Sequence, residues 1–157
     1  MKNLEILVVD DLKENRETAK QYFESIGLKV DLAIDYESGK EKMKQKDYFA
    51  AILDLQLPNK VNNFGDYGFE LEEIAKVYSI PAVVLTGRKE DNHHGLGSSI
   101  LIDKKMQGST SIKTDIKSWE KAYEALEKFY KPEVIWKSKK QYTNVTGIRF
   151  KFDNKID

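Results

Sequence analysis

Asp10 and Asp11 stand side by side at the end of a short apolar run, Ile6–Val9. Asp54 interrupts a second run, Ala50–Leu55, Thr86 closes a third, Pro81–Thr86, and Asp103, Lys104 and Lys105 follow a fourth, Ser99–Ile102. Carboxylates gathered on one rim repel one another unless something compensates, and a hard divalent cation does so best. Mg²⁺ takes oxygen ligands, keeps several waters and pairs with one or two carboxylates plus a phosphate. A carboxylate beside such an ion can attack phosphorus and form an acyl phosphate. An ammonium and a hydroxyl close by would stabilise the charge on the transferred phosphoryl oxygens. Lys104 and Thr86 are spaced to be those two groups. The residues form a phosphoryl-accepting aspartate with its supports.

That chemistry requires the four runs to end on one side of one sheet, and the pattern of the chain provides for it. Glu5–Asp10, Lys29–Ile34, Ala50–Leu55, Pro81–Thr86 and Ser99–Ile102 read as strands. The compact apolar runs among them suit buried parallel strands. Lys29–Ile34 alternates more and belongs nearer an edge. Ala19, Tyr22, Phe23 and Ile26 form one helical stripe that stops at Gly27; residues 36–46 make a polar helix; Leu71, Ile74, Ala75 and Tyr78 mark a third. The last helix is the clearest, with Ile112, Ile116, Trp119, Ala122, Tyr123, Leu126 and Phe129 on one face before Pro132. The Trp119 stripe reads as core. Strands alternating with helices predict a parallel α/β sheet covered on both faces. In such sheets ligands bind beyond the carboxyl ends of the strands, near a topological switch point.

These pieces together are similar to the receiver domain of two-component response regulators. The matching segments are ILVVDD (6–11), ILDLQLP (52–58), AVVLTG (82–87) and GSSILIDK (97–104), within a similarity that covers about residues 4–130. The resemblance implies a flavodoxin-like, doubly wound, five-stranded parallel sheet with flanking helices. It also implies that Asp10 and Asp11 hold Mg²⁺, that Asp54 accepts the phosphoryl group, and that the backbone carbonyl of Gln56 completes the metal shell. Thr86 would swing toward the phosphoryl group and Lys104 would contact it. Partners would be a sensor histidine kinase or phosphotransfer protein and a downstream protein target, with a homodimer as an open option. Such a domain catalyses only its own phosphorylation and dephosphorylation.

Several positions depart from the family pattern. Lys105 follows Lys104 where the family has proline, and the choice of Lys104 over Lys105 rests on the eight-residue match counted from Gly97. Leu101 occupies the place of a switching Tyr or Phe. Residues 59–68 (NKVNNFGDYG) form a long Asn/Gly-rich loop, where Phe64 and Tyr67 could act as a lid or a contact. Residues 87–98 offer Leu96 as their only large apolar residue, so a helix there is short or missing. The adjacent His93 and His94 lack the i, i+4 spacing that would bring two ligands together.

Competing readings remain in view. Asp10 alone could be a helix N-cap, but Asp11 beside it and Asp54 inside an apolar run argue for more. A degenerate receiver, working by protein contact without phosphate, is the alternative function. A hydrolase with an aspartyl nucleophile, similar to haloacid-dehalogenase-like phosphatases, would want a second Asp where Gln56 stands.

Composition limits the rest. The chain has 157 residues, 40% hydrophobic and 33% charged, with no cysteine, which excludes disulfides, thiolate metal sites and thiol catalysis. No apolar run is long enough for a bilayer and no secretory h-region appears, so a cytoplasmic protein is expected. Net charge is zero, but residues 131–157 carry seven basic against three acidic residues. The expected organisation is a receiver over 1–131 and a basic, aromatic extension over 132–157 that has the period-2 pattern of a β-hairpin. That extension is too short for a DNA-binding output domain, so a stand-alone receiver is expected.

Overall fold

The computed structural model describes residues 4–86, 100–102 and 113–129. Eleven elements follow in order: β1 (Glu5–Val9), α1 (Lys13–Ser25), β2 (Lys29–Ala33), α2 (Tyr36–Gln45), β3 (Ala50–Leu53), β4 (Leu57–Pro58), β5 (Phe64–Gly65), α3 (Tyr67–Val77), β6 (Ala82–Thr86), β7 (Ile100–Ile102) and α4 (Ile116–Phe129). The main sheet has the order β2-β1-β3-β6-β7 and every pair in it is parallel. From β1 the chain first moves outward to β2 and then returns to the other side of β1 for β3. The switch point therefore lies between the carboxyl ends of β1 and β3.

Alternation along β1 divides the core. Ile6 and Val8 face one side with Ala19 and Phe23 of α1 and Trp119, Ala122 and Leu126 of α4. Leu7 and Val9 face the other with Met43 of α2 and Leu71 and Ala75 of α3. Successive strand residues point to opposite faces, so a run that is apolar throughout must be covered twice. Among the described residues no helix is long and apolar enough to cross a membrane.

Two expectations from the sequence are refined. The Asn/Gly-rich stretch after Pro58 contains a small antiparallel hairpin, β4 with β5, rather than an irregular loop. Asn59 builds its turn: its side-chain Oδ1 accepts from the N–H groups of Val61 (3.0 Å) and Asn63 (2.9 Å), while Asn62 takes φ +62°. Asn tolerates that left-handed conformation better than most residues. The following helix also starts earlier than Leu71, at Tyr67, because Gly68 packs directly on the backbone beyond β3. Residues 87–98, with His93 and His94, and the extension 132–157 lie outside the described residues.

Two acids, Asp31 half-buried and Glu72 buried, show opposite solutions to burial. On edge strand β2, Asp31 accepts the Tyr48 hydroxyl (2.7 Å) and the Lys42 ammonium (2.9 Å), with Lys46 at 3.5 Å. Burial pushes its carboxyl up, but Tyr48 and the two lysines outweigh this and hold it below the usual range. On α3, Glu72 is buried and its Oε2 has no hydrogen-bond partner. Burial drives its carboxyl up to about 7, with Lys76 pulling down and Glu73 pushing up.

The signs for stability are opposite. A depressed Asp31 contributes stability that is present above its ordinary pKa of 3.8 and lost as pH falls through the lower folded value. Asp31→Asn should therefore lower the thermal midpoint at neutral pH, with the difference from wild type shrinking in acid. An equal difference at all pH values would contradict the network. A raised Glu72 binds more protons folded than unfolded, so it costs stability as pH rises from about 4.5 through about 7. Glu72→Met should raise the midpoint by about 3 °C in mildly alkaline buffer, and by much less in mild acid.

Candidate functional site

Asp10 is placed by the end of β1. Its N–H donates to the Ala33 carbonyl of β2 (3.1 Å), and its own carbonyl accepts from Arg16 Nη1 (2.8 Å). Its side chain is fully buried. Oδ1 accepts from the Leu12 N–H (3.0 Å) and from Asn15 Nδ2 (3.1 Å). Asp10 thus does part of a capping task at α1, whose own N-cap, Leu12, has no side-chain oxygen to offer.

Asp54 is held one step beyond β3, where its N–H donates to the Val9 carbonyl (2.8 Å) and extends the β1–β3 ladder. Its backbone is covered by α3: a Cβ on Gly68 would fall 2.3 Å from the Asp54 carbonyl oxygen and 2.7 Å from Leu55 Cα. Only glycine fits there, and its N–H donates to the Leu55 carbonyl (2.9 Å). Gln56, two residues past Asp54, donates its side-chain amide to the carboxylate of Asp66 just before α3. Thr86 ends β6 on the same rim, in register with Ile102 of β7.

Carboxylate oxygens of Asp10, Asp11 and Asp54 all lie within 4.8 Å of one another. At that spacing each like-charged pair costs about 3 kcal/mol at an effective dielectric of about 20. One ammonium answers this repulsion. Lys113 Nζ donates to Asp10 Oδ2 (2.9 Å) and to Asp54 Oδ1 (2.8 Å) and is buried with them. Lys113 was not among the residues expected from the sequence; Lys104 and Lys105, which were, lie outside the described residues. Sequence reading attached the lysine to the end of the fifth strand, whereas the chain delivers it three residues before α4.

The electrostatics follow from burial and crowding. Burial pushes the Asp54 carboxyl up to about 7; Lys113 pulls it down, while Asp10 and Asp11 push it further up. Asp11 is also raised, by burial first and then by Asp10. Burial works against the Lys113 charge, but Asp10 and Asp54 more than restore it and leave its pKa above the ordinary value.

The donor set fits Mg²⁺. It consists of hard oxygen ligands only, three carboxylates against one ammonium, a surplus of negative charge that a divalent ion would balance. Each carboxylate oxygen has two lone pairs, so the bonds from Leu12, Asn15 and Lys113 leave acceptor capacity at Asp10. Asn15 and Lys113 both escaped the reading of the sequence, since neither belongs to a local motif.

Comparison with known proteins bears on the family and the fold. The family model for the response regulator receiver domain matches residues 6–110. A receiver domain protein (CheY-like) from Methanospirillum hungatei is 22% identical, with TM-score 0.60 over 81% of this chain and 96% of that one. A two-component response regulator from Clostridium difficile is 24% identical, with TM-score 0.59 over 81% and 98%. The response regulator TrrA from Thermotoga maritima, solved with Mg(2+)-BeF, is 24% identical, with TM-score 0.57 over 78% and 98%. A search of curated protein sequences finds no match. The structural likenesses establish the shared fold, and the family match over two thirds of the length, on a sheet with its acidic cluster at the switch point, means that the chain belongs to the response regulator receiver domain family.

Proposed function

We propose that this receiver accepts a phosphoryl group on Asp54 in a Mg²⁺-dependent reaction and signals through protein–protein contacts. The observation that carries the reading is the Lys113 ammonium bridging Asp10 and Asp54 inside a three-carboxylate cluster. A structural ion pair would need one carboxylate; among the described residues three carboxylates here face one ammonium. TrrA, solved with Mg(2+)-BeF, supports the same use of the acidic pocket.

Asp10, Asp11 and Asp54 would hold the ion with the Gln56 carbonyl, and the ion would supply charge neutralisation at the transferring oxygens. An Asp54 carboxylate oxygen attacks the phosphorus of the donor. The new O–P bond forms as the bond to the leaving group breaks, and the leaving group carries away the electron pair. Lys113, already within hydrogen-bond distance of Asp54, offers its ammonium to the developing charge. Thr86, on the adjacent strand end, would supply the hydroxyl. Donors of the right chemistry are a phosphohistidine on a sensor kinase or phosphotransfer protein, and small acyl phosphates. The output is a contact with a downstream protein or a second copy, in the cytoplasm.

Incubation with a small acyl phosphate and Mg²⁺, followed by intact-mass and peptide mapping, tests the reading. One phosphoryl group should appear on Asp54, and Asp54→Asn should abolish it. Asp11→Asn should weaken Mg²⁺ binding by about tenfold, and Lys113→Ala should slow modification by about a hundredfold. Phosphate on another residue, or none at all with Mg²⁺ binding intact, would leave the degenerate, contact-only receiver as the better account.

A further inference from the structure

We infer that Trp119 is the positioning residue for the site lysine, holding Lys113 by its backbone so that its ammonium reaches Asp10 and Asp54 together. The indole Nε1–H of Trp119 donates to the Lys113 carbonyl at 2.7 Å in a buried bond. An indole has one donor and no acceptor, so this contact commits its entire hydrogen-bonding capacity to the lysine. The lysine is then fixed at both ends. Its tip is held by two carboxylates at 2.9 and 2.8 Å, and its root by the indole.

The need for such an anchor follows from where Lys113 stands. It lies in the short turn ahead of α4, and its long side chain must cross to two acids that belong to β1 and β3. A lysine carries four rotatable side-chain bonds, and each unfixed one spreads the ammonium over more space. Trp119 is itself rigidly placed. It is buried in the core, and its ring meets the Phe23 ring of α1 edge-on at a centroid distance of 6.3 Å and 74°. Asp115 fixes the helix start between them: its Oδ1 accepts from the Lys117 N–H (2.9 Å) and its carbonyl from the Ser118 N–H (3.0 Å). Packing of α4 on α1 thereby sets the geometry of a charged group at the sheet's rim. The inference rests on the phosphoryl-acceptor reading for its kinetic consequence, but not for the anchoring itself.

The test uses Trp119→Phe in the full chain, with Leu126→Ala as a control that disturbs α4 packing away from the lysine. The first readout is the Lys113 side-chain ammonium in ¹⁵N-correlated NMR. Held by two carboxylates in a buried site, it should give a slowly exchanging signal in the wild type. That signal should broaden or vanish in Trp119→Phe and persist in Leu126→Ala, even where both lose similar thermal stability. The second readout is the rate of Asp54 modification. Trp119→Phe should slow it by about tenfold, and the double variant Trp119→Phe/Lys113→Ala should be no slower than Lys113→Ala alone. An unchanged ammonium signal in Trp119→Phe, or rate losses that multiply in the double variant, would overturn the inference. Absence of any modification in the wild type would instead overturn the acceptor reading, and the ammonium signal would still decide the role of Trp119. Should Trp119→Phe fail to fold, benzothienylalanine at position 119 keeps the bicyclic shape and removes only the N–H.

Discussion

A single ammonium between two buried aspartates ties the structure together. Lys113 is 103 residues from Asp10 and 59 from Asp54 along the chain, yet it bonds both. Removing one partner from such a buried group leaves an uncompensated charge, a loss of about 3–5 kcal/mol. The ends of β1 and β3 and the turn before α4 are therefore interdependent. None of the three can shift without exposing or stranding a charge.

The rest of the fold can be understood as what keeps those three segments in place. The switch of direction after β2 opens the crevice into which Asp10 and Asp54 project. Continuous apolar runs in β1 and β3 bury both faces of the strands, so the acids that follow emerge from a rigid base. Gly68 lets α3 lie against the Asp54 backbone with no side chain between them. Trp119 joins α4 to the lysine, and Asn15 joins α1 to Asp10. Among the described helices α1, α3 and α4 thus each reach the site through specific residues, α1 also through Arg16 on the Asp10 carbonyl. The β4–β5 hairpin is fastened elsewhere: Tyr67, just beyond it, stacks on Tyr36 of α2 at 4.7 Å, and Lys60 donates its N–H to Glu37 (2.8 Å). Tyr67 is committed to that stack and is not free to act as a lid; Phe64 stays exposed.

What could be read in the sequence was local. Strand positions followed from runs such as Ile6–Val9 and Ala82–Leu85, and α4 from the spacing of Trp119, Ala122, Tyr123 and Leu126, because burial imposes its period on the chain directly. Asp10, Asp11 and Asp54 were legible because an acid at the end of an apolar run needs a reason. The part played by Lys113 was not, because an ion pair between residues 59 and 103 positions apart leaves no local pattern in the chain. Strands of two residues, as in β4 and β5, carry no period at all, so their hairpin looked like loop. The indole of Trp119 was correctly read as core, but its hydrogen bond could not be, since an apolar stripe says nothing about where one N–H points.

Charge counting explains why the site calls for both a fixed cation and an exchangeable one. Among the described residues the one ammonium of Lys113 faces three carboxylates, and burial, with Asp10 and Asp11 adding to it, pushes the Asp54 carboxyl up to about 7 against the pull of Lys113. Asp31 makes the contrast: with a hydroxyl and two ammonium groups around it, its carboxyl falls below the ordinary range. The sequence could have given Asp54 the same treatment with a second lysine. A second fixed ammonium, however, would occupy the Asp54 oxygen lone pairs and lower their nucleophilicity. On the proposed reading, a divalent ion would supply the remaining positive charge, and the arrival of a phosphoryl group would be a large change in the local balance. The ammonium that would meet that change is bonded to Asp54 at its tip and to α4 through Trp119 at its root, so α4 is tied to Asp54 by two consecutive hydrogen bonds.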